Sequence, residues 1–412
     1  GVCESAGGDC TLRAAIGEAN ALPGVDSISL PAGSFVFALA GTGEDASATG
    51  DLDITESVAI SGAGALSTTV DGAGLDRIFH VVGADPIVTL TDVAITGGVG
   101  GALSNEGDLS LERVLVTDNV AQGMGLGVVY NDGDLLTVVD SLFNDNVISA
   151  GAIKSARGEM NIVRTVIADN SGINSDIGGI DSYGSDTLIL DSIITRNGLT
   201  DEGHTGDTGG VANRGPGSML IVGSTISWNT GHVAGGVENR TDGNTGDTSY
   251  GLVVVNSTIA HNEIIGAHSR AESGGVYVDQ GEAQFINSTV ANNVGRVSGG
   301  ISKELGTLVY TSNTIFADNF GGDGPDCYGT LISLDYNLVE DGTGCSLSGN
   351  QLHDLVGVDP MLGGLGDNGG LTPTMALLAG SPAIDAGNPS TPGSGVGACE
   401  VTDQRGVARP VG

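Results

Sequence analysis

A short repeated motif constrains the fold of this chain more than any other feature of its sequence. A polar-Ser/Thr-apolar-apolar-x-x-Asn unit recurs eight times, closing at Asn119, Asn146, Asn170, Asn197, Asn229, Asn262, Asn293 and Asn319. Successive closing asparagines lie 24 to 33 residues apart. Repetition at this period, without helical spacing inside the unit, predicts one coil of a solenoid plus loops of variable length.

A column of large apolar residues accompanies the repeat. Three residues before each closing asparagine stand Val116, Phe143, Ile167, Ile194, Ile226, Ile259, Val290 and Phe316. Equivalent residues of parallel strands stack on one another, and burying each such side chain contributes roughly 1.5–3 kcal/mol. The apolar period of two and the frequent Gly-Gly pairs exclude a helical interpretation, so this column predicts the core.

A second strand in each coil usually follows Gly-Gly. Its inward residues are Leu103, Val129, Ile153, Ile180, Val211, Val237, Val276 and Ile301. Two positions later an amide often recurs, at Asn105, Asn131, Asn213 and Asn239. Asparagine tolerates turn geometry, and its amide can bond to the copies above and below, so we interpret this column as a structural ladder.

The two columns predict an all-β fold, a right-handed parallel β-helix with a short N-terminal capping helix and an irregular C-terminal tail. We divide the chain into an N-terminal cap with the first strand (1–40, helix over 11–21), the coils (41–336) and a capping or wrapping tail (337–412). Leu12, Ile16 and Ala19 follow helical spacing. A cap is expected because the open edge of a solenoid would otherwise pair with other chains.

The charge of the chain restricts its partners. Its formal net charge is −36, from 50 acidic and 14 basic residues. Such a surface repels phosphate backbones, so nucleic acid is not an expected partner. No apolar run approaches the ~20 residues that span a bilayer, so no membrane span is expected.

The five cysteines predict an oxidising compartment. Cys3 lies close to Cys10 in sequence, and Cys327 lies close to Cys345, as two local disulfides would require. Their spacing fits no zinc site. Cys399 is then the odd thiol. Disulfides persist mainly outside the cytosol, so we expect a secreted protein, extracellular or at the cell surface.

The outward column of the second strand carries the candidate chemistry. It places Asp181 and Glu238 two coils apart, at about 9–10 Å, near the wide limit for the carboxylate pair of an inverting glycosidase. The carbohydrate-binding candidates on this face are Tyr130, Tyr277, Arg214 and Arg240. The alternative is structural, because the chain has many carboxylates and the arginines can bridge to neighbouring aspartates.

Two loops combine Asp, Asn and Gly in a way that suits a calcium ion. Their candidate ligands are Asp201, Asp207, Asp242, Asn244 and Asp247. Calcium prefers such oxygen ligands, although neither loop matches an EF-hand, and a solvated turn is the alternative interpretation. No cofactor is otherwise required.

Several segments resemble a family of secreted bacterial β-helix proteins that open with a CSLREA-type motif. The first is Cys10-Thr11-Leu12-Arg13-Ala14 with the preceding Cys3, where Thr11 and Ala14 depart from the usual Ser and Glu. Asp367 to Gly370, Ser381 to Gly387 and Asp403 to Pro410 resemble the family's C-terminal segments. The resemblance implies the β-helix fold and a surface location, and it supplies no catalytic residues.

We favour a non-catalytic structural protein of the cell surface, as a matrix component, adhesin or filament subunit. This hypothesis predicts a polar outer face without a convergent cleft. The alternative is a polysaccharide-active enzyme, a glycoside hydrolase or lyase, or a carbohydrate-binding module that uses the outer groove. The expected partners are extracellular polysaccharides or other surface proteins, with self-association of the chain as a further interaction.

Overall fold

Parallel strands from successive coils stack along almost the whole chain in the computed structural model. The structure describes residues 10–43, 45–121, 126–172, 177–199, 208–240, 251–266, 272–395 and 397–409. Among the described residues every strand pairing within the coils is parallel, and each strand inside a sheet pairs with its equivalents one coil before and one coil after. The right-handed parallel β-helix predicted from the sequence is confirmed.

Three long columns of strands form the walls, here called sheets 1, 2 and 3. Sheet 1 contains Asp26–Ser29, Val58–Ser61, Ile87–Thr91, Asp108–Glu112, Leu135–Val139, Glu159–Val163, Asp186–Leu190, Met219–Val222, Leu252–Val255, Glu282–Ile286, Leu308–Ser312, Cys327–Leu334 and Cys345–Asn350. Sheet 2 contains Gly33–Val36, Thr68–Asp71, Ala94–Thr96, Leu115–Thr117, Leu142–Asn144, Val166–Ala168, Ile193–Thr195, Thr225–Ser227, Thr258–Ala260, Thr289–Ala291, Ile315–Ala317, Leu338–Val339 and Leu355–Val356.

Sheet 3 is the wall that carries the candidate site. It contains Leu52–Ile54, Phe79–Val81, Leu103–Asn105, Val129–Asn131, Ile153–Ser155, Ile180–Tyr183, Val211–Arg214, Val237–Arg240, Val276–Gln280 and Ile301–Lys303, and it joins sheet 1 through Cys327–Leu334. A short sheet 4 contains Val147–Ile148, Ser171–Gly172, Gly198–Leu199, Thr230–Gly231 and Glu263–Ile264. Leu362–Gly366 and Thr374–Leu377 form an antiparallel pair in the tail.

The inward columns stack as the repeat predicts. Ile194 pairs with Ile167 on one side and with Ile226 on the other, and all three side chains are buried. One continuous apolar cluster runs from the N-terminal helix through the coils to Val339. The fold is therefore held by a single elongated core.

The closing asparagines form a buried ladder at the turn after sheet 2. The Asn170 amide, for example, donates to Asn197 Oδ1 at 2.9 Å and to the Phe143 carbonyl at 3.0 Å. Asparagine suits this place because one side chain offers a donor and an acceptor at once. The other amide column is interrupted, because Asn105 bonds to Asn131 and Asn213 to Asn239, whereas Asn131 bonds to Ser155.

The N-terminal helix Leu12–Ala21 covers the first coil. The Thr11 hydroxyl caps it by accepting a hydrogen bond from the Ala14 amide at 3.2 Å, and Leu12, Ile16 and Ala19 are its buried residues. Cys3 lies outside the described residues, so the Cys3–Cys10 pairing stays a prediction. No helix in the described ranges is long and apolar enough to cross a membrane.

The coils extend further than the boundary that we predicted at residue 336. Leu338 pairs in parallel with Leu355, and Val339 with Val356. The repeat is hard to recognise here because Asn337 stands where most earlier coils have Ser or Thr. Asn337 Oδ1 accepts a hydrogen bond from the Thr314 backbone amide, and the Asn337 backbone amide donates to Asp354 Oδ1. A Cys327–Cys345 disulfide links the adjacent strands Cys327–Leu334 and Cys345–Asn350.

The tail runs along the flank of the solenoid against sheet 2. Its Gln404 side chain bonds to Thr258 at 2.7 Å and to Thr225 at 3.0 Å, and Thr372 donates to the Gly223 carbonyl. These contacts join residues about 150 to 180 positions apart in sequence. The tail is thus a strap across several coils.

Candidate functional site

One outward column of sheet 3 brings most of the candidate residues into register. In chain order it contains Asp53, His80, Ser104, Tyr130, Lys154, Asp181, Ala212, Glu238, Tyr277, Ser302 and Tyr328. These side chains leave the core because alternate residues of a strand point to opposite faces. The stacking of the coils thus places polar groups from distant segments side by side.

Asp181 is the centre of a buried ionic cluster. Its carboxylate lies 2.7 Å from Arg214 Nη2 and 3.3 Å from Lys154 Nζ, and Arg214 Nε also donates to it at 3.1 Å. The Asp181 side chain is 0% exposed, whereas those of Lys154 and Arg214 are 16% and 14% exposed. A buried charge requires such compensation, and one carboxylate here is shared by two cations.

Glu238 lies two coils further along the same column, with Ala212 between it and Asp181. It is fully buried, and the Thr208 hydroxyl donates to its Oε2 at 2.7 Å. Thr208 lies in the bridge that precedes Val211–Arg214, the strand of sheet 3 one coil before that of Glu238, so the hydroxyl is fixed by the same stacking. The two carboxylates are therefore held on one rigid wall.

The predicted sugar-stacking tyrosines do not form an open platform. Tyr277 is only 1% exposed, packs with Val233 and Ala234, and donates its hydroxyl to Glu304 Oε1 at 2.8 Å. Tyr130 is half-buried, and burial raises the pKa of its hydroxyl. The side chain of Tyr277 is therefore not available to a sugar ring, contrary to our expectation.

The two predicted arginines have different partners. Arg214 joins the Asp181 cluster, whereas Arg240 lies 3.2 Å from Asp279 Oδ2. The Arg240 side chain is 34% exposed, so its end reaches the surface. Both ion pairs agree with the structural alternative given above for these residues, and they leave Arg240 as the more accessible cation.

The far end of the column contains a second titratable group that the sequence interpretation missed. His80 Nδ1 lies 3.3 Å from Asp53 Oδ1 and 3.6 Å from Asp45 Oδ1, and Nε2 lies 3.7 Å from Glu106 Oε1. Asp53 and His80 precede Ser104 by 51 and 24 residues, which is two coils and one coil. Extending the column backward at the coil period would have found them.

Asp45, Asp53 and His80 place one ligand atom each within 4.8 Å of one another and are a candidate group for a metal ion. A nitrogen beside carboxylate oxygens suits zinc or manganese better than calcium. The five calcium candidates in the two loops, Asp201, Asp207, Asp242, Asn244 and Asp247, lie outside the described residues. Their ion therefore stays a prediction.

Solved structures with a similar backbone fold come from carbohydrate-active enzymes. The A-module of the Azotobacter vinelandii mannuronan C-5 epimerase AlgE4 is 14% identical, with 84% of this chain and 92% of that chain covered and a TM-score of 0.44. The catalytic domain of a GH87 alpha-1,3-glucanase in complex with nigerose is 12% identical, with 84% and 66% covered and a TM-score of 0.39. At these identities the likeness concerns the fold.

No family model and no curated protein matches the chain. The resemblance to the CSLREA-type family accordingly stays a prediction. The fold and the charged wall together define a right-handed parallel β-helix with an ionic cluster on the outer face of sheet 3.

Our preferred hypothesis of a non-catalytic structural protein is wrong. That hypothesis predicted a polar outer face without a convergent cleft, whereas Lys154, Asp181 and Arg214 converge there in one buried cluster. The matrix, adhesin and filament interpretations are therefore set aside.

Proposed function

We propose that this protein is a polysaccharide-active enzyme, a glycoside hydrolase whose reacting groups are Asp181 and Glu238 on the outer wall of sheet 3. The observation that carries the proposal is their placement in one register column, separated by a single small residue. Two strand spacings are about 9–10 Å, against about 6.5–9.5 Å between the carboxyl groups of inverting glycosidases. The separation of the two strands thus lies at the wide limit of that range.

The environments of the two carboxylates suggest different roles. Lys154 and Arg214 both contact the Asp181 carboxylate, and we assign Asp181 as the base that activates a water molecule. Glu238, which accepts a hydrogen bond from Thr208, is then the acid that protonates the leaving oxygen. The assignment follows because an inverting pair needs one base and one acid.

Access to the pair runs past two cations. Asp181 and Glu238 are buried, and Lys154 and Arg214 are the partly exposed groups above Asp181. A sugar chain would therefore meet these cations first, and they would turn outward to uncover the carboxylate. A lyase is the second candidate, since the same cations could neutralise a uronate carboxylate while a neighbouring group removes a proton.

The proposal places the enzyme outside the cell, acting on an extracellular polysaccharide. The Cys327–Cys345 disulfide supports that location, because such bonds persist in oxidising compartments. The hydrolytic mechanism requires no cofactor. Calcium binding by the two loops, or metal binding by the His80 group, is a separate prediction that titration with CaCl2 or ZnCl2 would test.

The test is release of reducing ends from a panel of neutral glucans and uronate polymers. We expect the wild-type protein to cleave at least one polymer, and Asp181→Asn and Glu238→Gln to lose at least about 100-fold in rate. Asp140→Asn is the matched control, because Asp140 also pairs with an arginine, Arg164, but lies at an exposed turn. Full activity in both site variants would overturn the proposal, and unsaturated products would indicate the lyase.

A further inference from the structure

A large cavity separates the tail from sheet 2 near the C-terminal end of the solenoid. Its volume is about 780 Å³. Binding sites for small ligands have volumes of about 300–1,000 Å³, so the cavity has room for a few sugar rings. One wall is formed by strands of sheet 2 and the other by the tail from Leu362 onward. This place is distinct from the outer wall of sheet 3.

An aromatic pair lines the cavity and is held rigidly. The rings of Tyr336 and His353 stack with centroids 4.5 Å apart and an interplanar angle of 7°. Asp335 fixes His353 by accepting from its backbone amide at 2.7 Å and by contacting Nδ1 at 2.8 Å. A flat apolar surface with polar edges is the kind of group on which the C–H face of a sugar ring packs.

Polar groups without a protein partner also line the cavity. Among the described residues, the side-chain nitrogen Nδ2 of Asn287, the hydroxyl of Thr289 and the carboxylate of Asp385 make no hydrogen bond to the protein. The Asn287 nitrogen is a donor, the Asp385 carboxylate is an acceptor, and the Thr289 hydroxyl can both donate and accept. Sugar hydroxyls donate and accept, so they match this combination.

The cations around the cavity are already engaged. Arg405 donates to Asp403 Oδ2 through Nε at 2.9 Å and through Nη2 at 2.6 Å. Arg409 Nη1 donates to Asn256 Oδ1 at 3.0 Å and to the Thr402 carbonyl. With the Asp385 carboxylate facing the same space and a net charge of −36 on the chain, an anionic ligand is disfavoured.

We propose that this cavity is a binding site for an uncharged oligosaccharide, which packs on the Tyr336–His353 pair and bonds to Asn287, Thr289 and Asp385. The proposal rests on the proposed function only for its biological purpose, namely holding a polysaccharide chain at a second place. Its chemistry is independent of Asp181 and Glu238.

Isothermal titration of the full chain with four probes tests the proposal. The probes are cellotetraose, laminaritetraose, maltotetraose and tetragalacturonate. We expect a neutral tetrasaccharide to bind and tetragalacturonate to bind at least about tenfold more weakly. We expect Tyr336→Ala and the cavity-filling Ala383→Phe to weaken binding by at least about tenfold each. Asp181→Asn should bind like the wild type, which separates this site from the proposed active site.

Tyr183→Ala is the matched control, because Tyr183 is a half-exposed tyrosine on sheet 3 and away from the cavity. It should leave affinity unchanged. Thermal unfolding of each variant shows whether it is folded, and two independent variants keep the test decisive if one is not. The proposal is overturned if no neutral probe binds the wild type, if Tyr336→Ala and Ala383→Phe bind as tightly as the control, or if tetragalacturonate binds best.

Discussion

Buried asparagines fix the turn that follows sheet 2 in the eight coils from Asn119 to Asn319. Asn146, Asn170 and Asn197 are at most 1% exposed, and the residues before them, Asp145, Asp169 and Arg196, have φ values between 53° and 56°. The strained turn is tolerated because the asparagine that follows bonds to the coils on either side. The ladder ends at Asn319, whose amide donates to Asp326 Oδ1 at 2.9 Å.

Asp326 is expected to make stability depend on pH. Burial raises the pKa of its carboxyl from 3.8 to about 6, although hydrogen bonds from Asp341 and Asn319 act the other way. A pKa above the unfolded value means that the native state binds the proton more tightly. Its contribution is therefore present below about pH 4 and is lost as pH rises through about 6, by at most about 3 kcal/mol.

Chemical unfolding of the wild type and Asp326→Asn from pH 4 to 7 measures this effect. The free energy of unfolding of the wild type should fall relative to that of the variant as pH rises. Asp140→Asn should show the opposite sign, because a hydrogen bond from Arg164 holds the pKa of Asp140 below its usual range. Parallel pH profiles for the wild type and Asp326→Asn would contradict the argument.

Among the elements, the tail is held to the coils by a series of hydrogen bonds. Asn256 donates to the Thr402 carbonyl at 2.9 Å, and Asn287 Oδ1 accepts from the Glu400 amide at 2.8 Å. Earlier coils place Asp140 and Arg164 at the equivalent turn, where they form an ion pair across coils. At this turn the charged residues of the earlier coils are thus replaced by asparagines where the tail lies against the coils.

Gln404 is the residue whose loss should loosen the tail most. Its amide group bonds to Thr258, Thr225 and Thr372, each within 3.0 Å. Gln404→Ala removes several part-buried hydrogen bonds at about 0.5–1.5 kcal/mol each. Hydrogen exchange should then quicken over 362–409 while the coils stay protected. Gln351→Ala, at an exposed position, is the control. Unchanged hydrogen exchange in Gln404→Ala would show that other contacts hold the tail.

The sequence predicted the elements that follow a local period, and it did not predict the contacts that follow none. The inward columns and the N-terminal helix follow local periodicities of two and about 3.6, so residues such as Ile194 and Ile16 could be placed without a structure. The partners of Gln404 lie up to 180 residues away and follow no period. The burial of Tyr277 was likewise unpredictable, because it depends on Val233 and Ala234 from the preceding turn.

For the molecule as a whole, stacking concentrates charge as well as apolar surface. The single core runs from the N-terminal helix to Val339, so the coils share one stabilising interior. On the outside, residues of adjacent coils are about 4.8 Å apart, and the chain carries 50 acidic against 14 basic residues. Ion pairs such as Arg113–Asp92 and Arg164–Asp140 therefore neutralise only a minority of the carboxylates.

Screening of this charge is expected to stabilise the protein. Repulsion between unpaired carboxylates opposes folding at neutral pH, and its range falls from about 30 Å at 0.01 M salt to about 10 Å at 0.1 M. The melting temperature should therefore rise by several degrees over this range, since repulsive pairs outnumber the attractive pairs that salt also weakens. Choline chloride should act like NaCl if screening is the cause. A larger rise with CaCl2 at equal ionic strength would instead reveal specific cation binding, and a falling melting temperature would mean that the ion pairs between coils outweigh the repulsion.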